Sequence, residues 1–259
     1  MDSRRLTTAL KALPLGGLRY LEKVGSTNDV ALAWAADGAA DFSLVVSDEQ
    51  TAGRGRGGRR WYTPPGAALA FSLILRPQPA EQEKVVLFSA LGALAVAAAL
   101  EGYALSPQIK WPNDVLLRGR KVSGVLAETV WLGEQVDSLV IGVGVNVSAA
   151  SLPPDDLLTF PAACLESELG RALDRAALLG DILSALLTWR SRLGTPAFLE
   201  AWESRLAFRG ERVEVWADDQ PVRIGRLAGL DSNGGLRLHL PGGETLTLPF
   251  GEVHLRPVM

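Results

Sequence analysis

The sequence predicts an α+β chain in which a central mixed β-sheet is flanked by helices and followed by a small all-β module. Three observations carry this. Apolar runs of strand length alternate with helical spacing as far as about residue 208. The run "VVLFSALGALAVAAAL", Val85 to Leu100, is hemmed in by Glu81, Glu83, Lys84 and Glu101. It is short of the roughly 20 residues that span a bilayer and rich in alanine, so it is read as a buried core helix. From Gly210 onward, short alternating runs are broken by Asp-Gln-Pro, Asn-Gly-Gly and Pro-Gly-Gly, the texture of an SH3-like β-barrel. The expected division is 1–209 and 210–259.

The elements follow in order. "STNDVALAWAADG" reads as a helix, with Ser26 or Thr27 as cap, Asp29 at the positive end of the dipole and Gly38 as the stop. "SLVVSDEQ" (43–50) and "ALAFSLILR" (68–76) read as buried strands on either side of a glycine-rich loop. "PQIKW" is a third strand leading into a turn at "PND". Residues 114–147 read as strands joined by turns at Gly119 and Gly133, and 162–208 as helical, with "DRAALLGDILSALLTWRSRL" at helical spacing.

Composition removes several function classes. With net charge −3 and a pI near 5.5, the chain lacks the basic excess of a dedicated nucleic-acid binder. The single cysteine, Cys164, excludes an internal disulfide and a multi-cysteine metal site, and a reduced cytoplasmic setting is expected. The first residues lack the apolar core of a signal peptide. Both histidines, His239 and His254, lie near the C-terminus, so a Ser-His-Asp triad or a histidine-rich zinc site is not expected in the main body. Cys164 and the two histidines are read as structural.

Four stretches hold polar or glycine residues that strand and helix patterning does not require: "STND" at 26–29, "EQTAGRGRGGRRW" at 49–61, "KWPND" at 110–114 with "GRKVSGVLAE" at 119–128, and "GVGVN" at 142–146. Each alone has a plain structural reading: a helix cap, a solvated strand end, a close packing contact. The arginine–glycine stretch alone fits either a tract that follows nucleic-acid phosphates or a loop that folds over a small phosphate-bearing ligand. Their co-occurrence in this order is what carries weight.

In that order the motifs resemble the biotin–protein ligases, from about Ser26 to Val147. "GRGRGGRRW" is similar to the family's biotin-binding loop, "KWPND" with "RKVSG" to its active-site lysine region, and the C-terminal β module to its small terminal domain. The resemblance implies ATP-dependent activation of biotin to biotinyl-5′-AMP, then transfer to a lysine of a biotin carboxyl carrier protein. It implies Mg²⁺ with the ATP, no direct protein ligand to a metal, no DNA and no membrane, in a cytoplasmic monomer or homodimer. Only 25 residues precede Ser26, too few for the winged-helix repressor domain of some members, so a ligase without that domain is expected.

Residue by residue, the resemblance implies that Ser26, Thr27, Asn28 and Gln50 hydrogen-bond the biotin head. Gly53 and Gly55 let the loop backbone approach the ligand, and Arg54 holds the loop against it. Arg56 meets the carboxylate and then the adenylate phosphate. Lys121, with Arg56 the catalytic pair, bridges the carboxylate and α-phosphate. Arg59 contacts phosphates, Trp61 offers a face to adenine, and Asn113 and Asn146 read the nucleotide. Gly124, Gly142 and Gly144 keep the pocket floor free of side chains. Lys110 is assigned to the triphosphate and Asp114 to the acceptor lysine. Gly57 stands where some relatives carry a further arginine. The rival readings are a lipoate or octanoate ligase of the same fold and, more remotely, a non-catalytic RNA-binding module.

Overall fold

The computed structural model describes residues 1, 3–154, 158, 160–217, 222–250 and 253–258. Helix α1 (Ser3–Leu10) buries Leu6 and Leu10 and leads into β1 (Gly17–Val24). Helix α2 (Thr27–Ala36) ends before Gly38, whose φ of 86° suits a residue without a side chain. Strands β2 (Ser43–Gln50) and β3 (Ala68–Leu75) flank the arginine–glycine loop, and β3 is buried throughout. The apolar run is entered by a 3₁₀ segment, Pro79–Leu87, and becomes α-helical only as α3 (Phe88–Glu101), whose mostly buried residues make it a core helix as expected.

Strands β4 (Pro107–Lys110), β5 (Asp114–Leu117), β6 (Arg120–Leu132) and β7 (Gln135–Asn146) follow, with turns at Gly119 and Gly133 where the sequence placed them. The helical region comprises α4 (Leu165–Leu169), α5 (Arg175–Arg190) and α6 (Pro196–Ser204). Asp174 caps α5 by accepting from the backbone N–H groups of Ala176 and Ala177. The C-terminal module holds β8 (Arg212–Ala217), β9 (Arg223–Leu230), β10 (Leu236–His239), β11 (Thr245–Leu248) and β12 (Val253–Pro257). The expected Asp-Gln-Pro turn lies outside the described residues.

Among the described residues the main sheet runs β1-β2-β3-β7-β6-β5-β4, with β1 and β2 parallel and every other pair antiparallel. It is the mixed sheet the sequence predicts. The sequence reading lacked α1 and β1; "GLRYLEKV" is half-exposed and carries three charges. Successive residues of a strand face opposite sides. Leu69, Phe71 and Leu73 of β3, with Ile141 and Val143 of β7, meet α3 and α5. Val45, Ile74 and Val140 on the other face meet Ala31 and Ala35 of α2. Farther along that second face the residues are Ser72, Gly142, Gly144 and Asn146, and the site lies there.

The second sheet, antiparallel in the order β11-β10-β9-β8-β12, is the small barrel-like module. It docks on the turn between β4 and β5. The Trp111 indole donates to the Gly234 carbonyl at 3.0 Å, and its ring lies 5.5 Å from that of Phe250, which also meets Trp202.

Gly92 on α3 marks the closest helix–sheet approach: a β-carbon there would stand 2.8 Å from Val125 and 3.1 Å from Ile141. Both neighbours are buried and cannot swing away, so added volume meets a packed core. We expect Gly92→Val to destabilise the fold by about 1–3 kcal/mol, read as a lowered thermal midpoint. An unchanged midpoint would show that α3 is free to lift.

Candidate active site

The floor of the site is made where two strands drop their side chains. Gly144 of β7 faces Gly124 of β6 in register, with Gly142 two residues earlier on the same face. A β-carbon on Gly142 would stand 2.1 Å from Asn28 Oδ1, and one on Gly144 would stand 2.2 Å from the Trp61 indole. The sequence expectation was a floor free of side chains. In the structure the room these glycines leave is used by the chain's own Asn28 and Trp61.

The arginine–glycine stretch is a short hairpin over this floor. Gly55 N donates to Arg59 O at 2.7 Å and Trp61 N to Gly53 O at 2.9 Å. The reversal falls at Gly57 and Gly58, with φ of 60° and 68°, the pair of positive values that a type I′ turn needs. An arginine at position 57 would therefore carry backbone strain in this conformation.

One end of the cavity is neutral and polar. Ser26 occupies the N-cap position of α2 without a side-chain cap bond. Gln50 takes over that function, its Oε1 accepting from Thr27 N at 2.9 Å and lying 3.1 Å from the Thr27 hydroxyl. Gln50 Nε2 donates to Thr63. Asn28 Nδ2 donates to Glu128 at 2.6 Å, and Ser72 Oγ lies between Thr27 and Asn28. Arg54 spans the gap from the loop and grips both oxygens of Glu128 at 2.8 Å, with Asp29 alongside.

The other end is cationic. Asp114 is buried, with Lys121 Nζ at 2.6 Å and Lys110 Nζ at 3.4 Å. Burial alone would raise the Asp114 pKa, but the two ammonium groups outweigh it and hold the carboxyl below its ordinary 3.8. Burial pushes the Lys110 ammonium below its ordinary value, and Lys121 and Arg59 add to this while Asp114 opposes it. Lys110 also sits over the Phe160 ring, and Lys121 lies 5.6 Å from that of Trp61. The 160–163 segment is laced to β6 through Lys121, whose N–H donates to Pro161 O and whose carbonyl accepts from Ala163 N.

Arg56 donates to Asn113 Oδ1 at 3.2 Å, while Asn113 Nδ2 is committed to Val125 O. Asn146 Nδ2 donates to Ala163 O, so both asparagines also hold the local backbone. The indole N–H of Trp61 is buried and makes no hydrogen bond among the described residues.

A cavity of about 160 Å³ joins the two ends. Every residue singled out in the sequence lines it except Gly53, which sits at the loop's base, where a β-carbon would stand 2.4 Å from Trp61 O. Sequence reasoning missed Ser72, Thr63, Glu128 and Phe160. Glu128 closes the quoted "GRKVSGVLAE", and an acid at strand spacing from Gly124 on the same face was the available signal. Ser72 within an apolar strand was another.

The chain matches the Biotin/lipoate A/B protein ligase family over residues 20–146 and the Biotin protein ligase C terminal domain over 208–256. It is 37% identical over 244 residues to the biotin–[acetyl-CoA-carboxylase] ligase of Paracoccus denitrificans, an alignment covering 90% of this chain and 98% of that relative. The chain belongs to the biotin protein ligase family. A second member, the biotin–[acetyl-CoA-carboxylase] ligase of Mycobacterium tuberculosis, is 32% identical over 266 residues, covering 99% of this chain and 96% of its own. The biotin protein ligase of Aquifex aeolicus, solved in complex with biotin and ATP, superposes with a TM-score of 0.81 at 30% identity, covering 93% of this chain and 99% of that one. Family membership makes the chain an enzyme.

The Asp114 cluster yields a pH prediction. A carboxyl with a depressed pKa contributes stability that is present above its unfolded value and lost as pH falls through the lower folded value. Asp114→Asn leaves two half-buried ammonium groups facing no anion, and we expect a loss of about 2–3 kcal/mol near neutrality. That deficit should shrink as the pH drops below 3.8, because the wild type is then losing the same contribution. Thermal midpoints measured against pH check this; a deficit constant across the acid range would contradict it.

Proposed function

We propose that this enzyme activates biotin with ATP to biotinyl-5′-AMP and then transfers the biotinyl group to a lysine of a biotin carboxyl carrier protein, with residues 1–209 holding the chemistry. The observation that carries the reading is one cavity with two chemically opposite ends. The neutral end of Thr27, Asn28 and Gln50 suits a ureido head that both donates and accepts. The cationic end of Arg56, Arg59, Lys110 and Lys121 suits a carboxylate meeting a triphosphate.

In the first step a carboxylate oxygen attacks the α-phosphorus and pyrophosphate leaves. The carboxylate is already ionised, so no general base is needed; what matters is alignment of two anions and neutralisation of the charge that builds up. Lys121, held by Asp114 across the floor from Trp61, would bridge carboxylate and α-phosphate oxygens. Mg²⁺ comes as the counter-ion of ATP, since both Asp114 oxygens already face lysines. In the second step the unprotonated acceptor amine attacks the acyl carbon, AMP departs, and the amine loses a proton. Trp61 then offers a flat face and an indole N–H to the adenylate, and Arg56 its phosphate clamp.

Biotin-dependent exchange of labelled pyrophosphate into ATP tests the first step. Exchange with lipoate and not biotin would assign the chain to the other branch of the family. Lys121→Ala removes charge needed most in the transition state, so we expect kcat to fall by the equivalent of about 3–4 kcal/mol with a smaller change in biotin affinity. Near-normal exchange would remove Lys121 from the mechanism. Arg56→Gly loosens the clamp and frees the loop backbone. It should therefore release adenylate and biotinylate lysines of an unrelated protein, and labelling no faster than wild type would show that Arg56 is not the clamp.

A further inference from the structure

Lys121 stands on the cavity face only because β6 carries one extra residue. Asp114 pairs with Gly124 and Val115 with Ser123, but Leu116 then pairs with Lys121, which leaves Val122 as the extra residue of a β-bulge. Val122 joins the core beside α3 with Val115 and Val125, while Lys121 Nζ lies 2.6 Å from Asp114 Oδ1 on the other face. Were the alternation unbroken, Leu116 would pair with Val122 and Lys121 with Leu117, and the lysine would point into that core. A slip of one residue therefore decides whether Lys121 belongs to the site.

Two features hold the bulged register. β6 pairs with β7 only from Ser123 onward, and before that Lys121 N donates to Pro161 O at 2.7 Å while its carbonyl accepts from Ala163 N at 2.9 Å. The second is the turn. β5 ends at Leu117 and β6 starts at Arg120, so Arg118 and Gly119 make a two-residue turn with φ of 49° and 73°. Those are type I′ values, which asparagine and glycine adopt readily and arginine does not. An unbulged register would turn over three residues instead, so the two-residue turn and the bulge require one another.

Arg118 is held in that conformation from α4. The Glu168 carboxylate, whose side chain is 4% exposed, accepts from Arg120 Nη2 and lies 3.4 Å from Arg118 Nε. We propose that Glu168 is a positioning residue for Lys121: by gripping Arg118 and Arg120 it fixes the two-residue turn, and with it the register that aims Lys121 into the cavity. The inference rests on the reading of Lys121 as the group that bridges carboxylate and α-phosphate. The two arginines are 81% and 48% exposed, so their ion pairs add little to global stability and act locally.

The test is biotin-dependent pyrophosphate exchange by the full chain. We expect Glu168→Ala to lower kcat roughly tenfold or more, because a misplaced ammonium no longer meets the reacting oxygens. In a Lys121→Ala background the same substitution should cost nothing further, since it acts through that lysine. Adding Arg118→Asn to Glu168→Ala should restore most of the lost rate, because Asn-Gly enforces a type I′ turn without an ion pair. A merely structural role of α4 would give neither result. Replacing both Arg118 and Arg120 by alanine breaks the grip from its solvent side without touching the packed helix. It should reproduce the loss, and it serves if Glu168→Ala does not fold. Normal exchange in Glu168→Ala or in the double-alanine variant would overturn the inference while leaving the biotin reading intact. So would an undiminished loss in the Lys121→Ala background, or no recovery with Arg118→Asn. Normal exchange in Lys121→Ala, or no biotin-dependent exchange in the wild type, would instead remove the reading beneath it and the inference together.

Discussion

Everything in the site depends on one sheet face being covered over only part of its length. α2 seals that face where Val45, Ile74 and Val140 lie, and past its N-terminus the same face continues without a helix. The strands there cannot carry large side chains, because the space above them must admit a loop and a ligand. The period-two alternation of β3 and β7 turns this into sequence: Leu, Phe and Ile on the α3 side, and Ser72, Gly142 and Gly144 on the other. The buried side supplies the burial energy, leaving the open side to be shaped by steric room.

Electrostatics then divides the cavity. Lys110, Lys121, Arg56 and Arg59 converge on one end, and the one buried carboxylate among them, Asp114, is shared by both lysines. A single anion under two ammonium groups keeps them close without neutralising them, so a net positive field remains for an anionic ligand. At the other end charge sits behind the wall. Of the charged groups there only Arg54 reaches the cavity, and its guanidinium is already paired with Asp29 and Glu128.

The C-terminal module bears on this arrangement through Trp111. The residue belongs to the turn that sets Lys110, Asn113 and Asp114, and its indole is bonded to Gly234 while its ring packs on Phe250. The second sheet therefore buttresses the turn that supplies the cationic end. Trp202 and Phe250 extend this contact into the helical layer.

By itself the sequence determined the sheet-and-helix class, the core helix, the barrel texture after Gly210, and most of the polar residues that line the cavity. Those features are local: apolar period, turn residues and motif order are written along the chain. It did not reveal β1, which is amphipathic and charged and becomes a strand by pairing with β2. Nor did it disclose that Gln50 rather than the Ser26 side chain serves the α2 N-terminus, or that the floor glycines make room for Asn28 and Trp61. Glu128 is 74 residues from Arg54 and 100 from Asn28 in the chain, and only the folded sheet brings the three together. Such contacts depend on which strands become neighbours, and that is decided by packing across the whole core rather than by any stretch of sequence.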